Sequence, residues 1–247
     1  MMAVAKVKAV VFDFIGTLVS CKSYSMDASR LKLYNALVDE GFKVEKDRFL
    51  DAYIRAHEKY RLVRYEQLRE VTNAVWVAEA LTDIGYNVNP DDLNVKAALN
   101  VFFQDYVDSL YLREGAKKLI EKAMQHGKVG LVSNFTHAPV VYRSLRQLGI
   151  ENCFNAIVVS DANGWRKPSK HIFNDALGKL QVKASEAVYI GDSPLEDVEG
   201  AKAAGLRTVF FSSQFNSLKG LLESKIKPNI TVNSLEEIYE RFDEITG

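Results

Sequence analysis

Five short runs rich in β-branched residues, most of them beside amphipathic stretches of helical length, constrain this chain more than any other feature. Val7 to Phe14 (VKAVVFDF), Lys128 to Ser133 (KVGLVS), Ala156 to Ser160 (AIVVS), Ala187 to Ile190 (AVYI) and Thr208 to Phe211 (TVFF) have the length and composition of strands. Between the later runs lie helical patterns over Gly115 to His126, Ala138 to Gly149, Ser169 to Leu180 and Pro194 to Gly205. Gly127, Gly149 and Gly205 each follow or close such a pattern, where a helix end wants a residue tolerant of positive φ. Strands alternating with helices specify a parallel sheet with crossover helices, the doubly wound α/β architecture. Asn229 to Val232 and Ser234 to Phe242 read as a last strand and helix, with Ser234 and Glu237 at capping-box spacing.

The alternation is interrupted once. From about residue 24 to residue 112 the chain offers no convincing strand. It shows four long helical patterns instead: Met26 to Glu40, Asp47 to Arg64, Tyr65 to Asp83 and Asp91 to Leu110. Strand one precedes this block and the second strand follows it, so the block is an insertion. The expected organisation is an α/β domain of residues 1–20 and 113–247, with a helical domain of residues 21–112 between. Lys plus Arg number 32 and Asp plus Glu number 32. That balance argues against bulk electrostatic capture of nucleic acid or an anionic membrane. No run approaches the ~20 apolar residues of a membrane helix. The opening segment MMAVAKVKAVVFDF carries two lysines and no small-residue cleavage site, so it reads as a strand rather than a signal peptide. Cys21 and Cys153 are too few for a disulfide framework or a zinc site and point to a reducing compartment. A compact cytoplasmic protein is the expectation.

Ligands of an open parallel sheet bind beyond the carboxyl ends of its strands. Strand one ends at Asp13, followed by Phe14, Ile15, Gly16 and Thr17. The second ends at Ser133 and Asn134. A third leads through Ser160 and Asp161 into Arg166, Lys167 and Pro168, and a fourth ends in Gly191, Asp192 and Ser193, with Asp197 five residues on. Taken singly, each of these is an ordinary turn, cap or surface residue. Together they bring carboxylates, a hydroxyl and a cation to one edge. That set suits a phosphate and a divalent metal: hard oxygens for the ion, an ammonium and a hydroxyl for the anion.

The segments VVFDFIGTLV, GLVSN, RKPSKHIF and YIGDSPLEDVEGA resemble the four motifs of the haloacid dehalogenase superfamily, whose commonest members are magnesium-dependent phosphatases. The motifs span residues 9–19 and 130–198, and the helical block stands where that family inserts an α-helical cap. The resemblance implies a Rossmann-like doubly wound core with an inserted all-helical cap, acting on a small phosphorylated substrate. It implies Asp13 as the nucleophile that forms an aspartyl-phosphate. Ser133 and Lys167 would hold the phosphoryl group, with main-chain amides near Phe14, Ile15 and Asn134. Mg2+ would be held by Asp13, Asp192 and the Ile15 carbonyl, with Asp197 supporting the shell. Electrostatics agrees with those roles. A phosphate dianion approaching a carboxylate meets ~4 kcal/mol per like-charge pair at 4 Å and an effective dielectric of 20. Lys167 and a divalent cation are the offset.

One position departs from the pattern. Phosphatases of this superfamily usually carry a second aspartate two residues after the nucleophile, which protonates the leaving group and later activates water. Here it is Ile15, which transfers no proton. Three readings stay open: a phosphatase whose proton comes from elsewhere, another hydrolase of the superfamily, or a relative that binds without turnover. The second includes dehalogenases, which Ser133-Asn134 resembles but which need no magnesium. It also includes phosphonate hydrolases, with Lys22, Lys32, Lys43, Lys46 and Lys59 as candidate Schiff-base lysines.

The remaining signals are weaker. His57, His126, His137 and His171 show no ligand spacing and read as surface or helix-terminal residues. The mixed basic and aromatic run His57 to Arg69 reads as a solvated helix face, from which Tyr53, Tyr60, Tyr65, Arg61 or Arg64 could select substrate.

Overall fold

The β-branched runs do form strands, and every pairing among them is parallel. The computed structural model describes residues 6–224 and 226–247, so part of the segment read against a signal peptide, residues 1–5, lies outside the described residues. The elements run β1 (Ala9–Phe12), β2 (Val19–Cys21), α1 (Met26–Asp39), α2 (Lys46–Glu66), α3 (Asn73–Asp83), α4 (Leu93–Ser109), β3 (Leu110–Leu112), α5 (Ala116–His126), β4 (Lys128–Ser133) and α6 (Ala138–Gln147). There follow β5 (Ala156–Val159), a single turn α7 (Ser160–Asn163), α8 (Lys170–Leu180), β6 (Ala187–Gly191), α9 (Gly200–Ala203), β7 (Arg207–Phe211), α10 (Leu218–Ser224), β8 (Ile230–Val232), α11 (Leu235–Glu240) and α12 (Phe242–Thr246). Contacts divide the chain into two units, Met1–Ser20 with Tyr111–Gly247, and Cys21–Leu110.

In the first unit six strands pair in the order β5-β4-β1-β6-β7-β8. β1 sits inside the sheet, with Ala9 opposite Lys128 of β4 on one side and Ala187 of β6 on the other. The chain builds outward in both directions from β1, which makes its carboxyl end a topological switch point. All four residues of β1 are buried, as strands covered by helices on both faces must be. On one face Val11, Val132, Val158 and Tyr189 pack with Ile172, Phe173, Ala176 and Leu180 of α8. The helical unit has its own core, where Leu33, Phe49, Trp76, Leu99 and Phe102 are buried. Three of its helices start at side-chain caps: Ser25 accepts from Ala28 N, Glu45 from Asp47 N and Arg48 N, and Asp92 from Asn94 N and Val95 N. Among the described residues no helix is long and apolar enough to cross a membrane.

The details depart from the sequence reading in five places. β1 is shorter than Val7 to Phe14, because at Asp13 the chain leaves the sheet for a tight turn. The helix expected over Tyr65 to Asp83 is two pieces: α2 continues to Glu66, Leu68 turns with φ 55°, and Thr72 starts α3 from an extended conformation. Residues 110–112, read as the end of the helical block, form β3. That strand pairs with β2 in a two-stranded sheet, so the helical unit ends at Leu110 rather than residue 112. Pro194 to Gly205 is not one α-helix, since Pro194–Glu199 is π-helical before α9 begins. The capping box at Ser234 is half made: Ser234 Oγ accepts from Glu237 N at 3.0 Å, but the Glu237 carboxylate turns to Asn233 N at 2.9 Å.

Phe12 is fully buried on the central strand. Phe12→Ala is therefore expected to cost about 3–5 kcal/mol through lost burial and the cavity left behind. Urea unfolding should show a lowered midpoint with an unchanged slope.

Candidate active site

The site grows from the carboxyl end of β1. Asp13 N donates to Ile190 O at 2.9 Å, fixing the residue beside β6 as the chain leaves the sheet. The turn closes at once: Leu18 N and Val19 N donate to Phe14 O at 3.0 and 3.1 Å, and Gly16 N donates to Val19 O at 2.9 Å. Gly16 has φ +101°, and a Cβ there would lie 2.6 Å from Asp192 Oδ2. Gly191, at the end of β6, stands in the same relation to Asp197, whose Cγ would be 2.4 Å from a Cβ. Neither position has space for a side chain, because a carboxylate lies against the main chain.

Lys167 joins the parts. Its Nζ is 2.7 Å from Asp13 Oδ1 and 2.6 Å from Asp197 Oδ1, with Tyr189 Oη at 3.1 Å and Val132 O at 3.3 Å. The loop carrying it, which includes the cis Lys167–Pro168 peptide, is clamped by Asn134. That side chain accepts from Lys167 N at 2.7 Å and donates to Lys167 O at 3.0 Å. Asp197 is drawn back by the π-helical turn, in which Asp197 N and Val198 N both donate to Ser193 O at 3.1 Å. Single π turns are common at functional sites. Its Oδ1 also lies 3.0 Å from Tyr189 Oη, and its Oδ2 accepts from Ser193 N at 2.8 Å. Asp192 Oδ2 accepts from the Ser213 hydroxyl and, at 3.0 Å, from Asn216 Nδ2.

Two buried carboxylates thus share one ammonium, and a third, Asp192, lies beside them. Ligand oxygens of Asp13, Asp192 and Asp197 lie within 4.8 Å of one another. Burial pushes the Asp13 carboxyl up to about 8; Lys167 pulls the other way, and Asp197 and Asp192 add to the rise. Asp192 is raised by burial and then by Asp197, against the bonds from Asn216 and Ser213. Burial alone would lower Lys167, but Asp13 and Asp197 outweigh it and hold the ammonium well above its usual range. Burial, then Asp197, keeps Tyr189 protonated. Asp13 Oδ2 and Ser133 Oγ are buried with no hydrogen-bond partner among the described residues. An all-oxygen donor set with excess negative charge and an unsatisfied carboxylate oxygen fits a divalent cation such as Mg2+.

Asp13, Lys167, Asp192 and Asp197 are brought together as one cluster, while Ser133 is buried at the end of β4. Phe14 is buried, and Ile15 is half-buried and bridges to Val19. Asn134 uses its side chain to hold the Lys167 main chain. In the helical unit Tyr53 is buried, Tyr60 donates to Glu79, Tyr65 is exposed, Arg61 pairs with Glu58, and Arg64 is a buried partner of Glu70. Lys32 and Lys59 are in solvated pairs with Asp105 and Glu79. Of the histidines, His137 is buried at the start of α6, and burial and then Arg143 lower it to about 4. Sequence reading missed Tyr189, Ser213 and Asn216. A tyrosine inside a strand buried on both faces needs a partner for its hydroxyl, which was the available signal. Ser213 and Asn216 follow β7, one more carboxyl strand end to inspect.

The sequence matches the family model for haloacid dehalogenase-like hydrolases over residues 7–205. A ribulose-1,5-bisphosphate 5-phosphatase from Halopiger xanaduensis is 30% identical over 113 residues, a match spanning 45% of this chain and 47% of the relative. A glyceraldehyde 3-phosphate phosphatase from Pyrococcus furiosus is 26% identical over 245 residues, 98% of this chain and 95% of the relative. The 2-haloacid dehalogenase structure from Pseudomonas syringae superposes with TM-score 0.65 at 20% identity, covering 96% of this chain and 99% of that one. At that identity the likeness concerns the fold.

The Asp13 carboxyl gives the metal-free protein a pH signature. Its folded value of about 8 exceeds the ordinary 3.8. The folded state therefore keeps a proton across that interval which the unfolded chain has lost. The stability this group contributes is complete below the lower value and is lost as pH rises through the upper one. Thermal unfolding in chelator should show the decline, and Asp13→Asn, which never ionises, should flatten it. Parallel curves for the two proteins would contradict the assignment.

Proposed function

Because the chain belongs to the haloacid dehalogenase-like hydrolases, we propose that it hydrolyses a small phosphorylated metabolite with Mg2+, through an aspartyl-phosphate on Asp13. The observation that carries this reading is the buried cluster of Asp13, Asp192 and Asp197 around Lys167, with Ser133 Oγ buried and without a partner. The same cluster favours a metal-dependent hydrolase over the dehalogenases of the superfamily, which need no magnesium.

The Asp13 carboxylate attacks phosphorus, forming a new O–P bond as the ester O–P bond breaks and the leaving group departs as an alkoxide or phenolate, which takes its proton from water. Lys167 and the Ser133 hydroxyl hold the phosphoryl oxygens, with main-chain amides of Phe14, Ile15 and Asn134. Lys167 keeps its proton throughout because Asp197 and Tyr189 anchor its ammonium. Water then attacks the phosphorus, frees Asp13 and releases inorganic phosphate. Asp13, Asp192 and the Ile15 carbonyl would hold Mg2+, with Asp197 supporting them through Lys167 and Ser193. Bound there, the cation would supply the positive charge that offsets repulsion between carboxylate and phosphate. The helical unit stands in the chain where the family inserts a cap, and we assign substrate choice to it. The full-length relative from Pyrococcus furiosus is a glyceraldehyde 3-phosphate phosphatase, so phosphorylated three-carbon sugars head the substrates to test.

Ile15 gives the reaction a leaving-group signature. General acid–base assistance is worth roughly 10²–10⁴ in rate, and only alcohols that need a proton feel its loss. Phosphate release should require magnesium and vanish in Asp13→Asn while the fold persists. It should be faster from aryl and acyl phosphates than from alkyl phosphates, and Ile15→Asp should raise alkyl-phosphate turnover about tenfold or more. No release from any ester would end the phosphatase reading. Equal rates across leaving groups, with no gain in Ile15→Asp, would end the missing-acid account alone.

A further inference from the structure

We infer that Ser213 and Asn216, in the loop after β7, are positioning residues that restrict Asp192 to offering one oxygen, and that they thereby set which divalent cation the site prefers. The inference deepens the proposed metal-dependent reading and rests on it. Asp192 Oδ2 accepts from both the Ser213 hydroxyl and Asn216 Nδ2. The direction of the first bond is forced. Ser213 Oγ itself accepts from Phe215 N at 2.9 Å and Asn216 N at 3.1 Å. A hydroxyl has two acceptor sites and one hydrogen, so with both acceptors in use its hydrogen is the group left for Asp192. The loop is closed by Ser213 N donating to Asn216 O at 2.9 Å, which orders the two donors together.

The carboxylate has no easy rotation out of this arrangement. Gly16 lies against it so closely that a Cβ there would be 2.6 Å from Oδ2 and 2.8 Å from both Cγ and Oδ1. Oδ1 is the oxygen outside the pair of bonds from the loop. Mg2+ takes monodentate carboxylates in a strict octahedron, whereas Ca2+ accepts six to eight oxygens and readily takes both oxygens of one carboxylate. Chelation by Asp192 would require Oδ2, at the expense of two hydrogen bonds. The loop therefore favours the smaller ion.

Ser213→Ala and Asn216→Ala test this, with Mg2+ and Ca2+ titrated separately into substrate-free protein by calorimetry. Removing one such outer partner should weaken Mg2+ binding by about 10–100-fold. Ca2+ binding should weaken less or strengthen, so the ratio of the two affinities shrinks. Ser213→Thr, which keeps the hydroxyl, should restore the wild-type ratio. Unfolding in chelator should be unchanged in all three variants. Two results would overturn the inference while leaving the metal site intact: wild-type affinities in both alanine variants, or a parallel loss for both ions with lowered stability in chelator. If wild-type protein binds neither cation, the proposed metal-dependent function falls, and the inference with it.

Discussion

Lys167 is a buried ammonium at 2.6–2.7 Å from two buried carboxylates, and most of the catalytic edge is arranged to make that possible. Its partners come from distant parts of the chain: Asp13 from the central strand, Asp197 from a π-helical turn, Tyr189 from β6 and Val132 from β4. A charge removed from water is tolerated only when paired and hydrogen-bonded. Lys167 meets that condition with a full set of acceptors for its three hydrogens. Asn134 fixes the main chain beneath it, and Gly191 lets Asp197 approach. The cluster is thus tied into the packing, since Tyr189 and Val132, which help hold Lys167, are also core residues of the sheet.

The pair does not balance the site. Asp13 is raised despite an ammonium at bonding distance, because that ammonium is shared with Asp197 and because burial outweighs it. Asp192 adds a third carboxylate, and the partners bonded to it, Ser213 and Asn216, are neutral. With all three carboxylates ionised, one positive charge faces three negative ones, a deficit that hydrogen bonds do not fill. The donors present are all oxygens, so the deficit has the chemistry of a small hard cation.

Much of this was legible in the sequence where one residue carries one message. Asp13, Lys167, Asp192 and Asp197 were visible because strand ends of a parallel sheet converge, and hydrophobic runs mark strand ends. The six-stranded core followed from the alternation of runs and helices. What escaped depends on two residues agreeing in space. Tyr189 reads as strand filler until Asp197 is known to turn back toward it, and the π turn that achieves this has the same apolar spacing as an α-helix. The short β2 and β3 carry too few residues for periodicity, so pairing rather than propensity defines them. Asn134 was noticed for its place beside Ser133, but its role as a clamp depends on a loop more than thirty residues downstream.

The central position of β1 has a consequence for how the protein comes into being. β1 is made well before either strand it pairs with, β4 from Lys128 and β6 from Ala187. At about 5–20 residues per second, Asp13 waits many seconds for Ile190, the residue whose carbonyl fixes its amide. The helical unit, in which α1 packs on α4 and α2 on α3, has all its helices once α4 is made. During synthesis the hydrophobic strand β1, AVVF, is therefore unpaired until β4 is made, next in the chain to a segment able to fold early. Asp13, at the end of that strand, is made long before the residue that holds its amide.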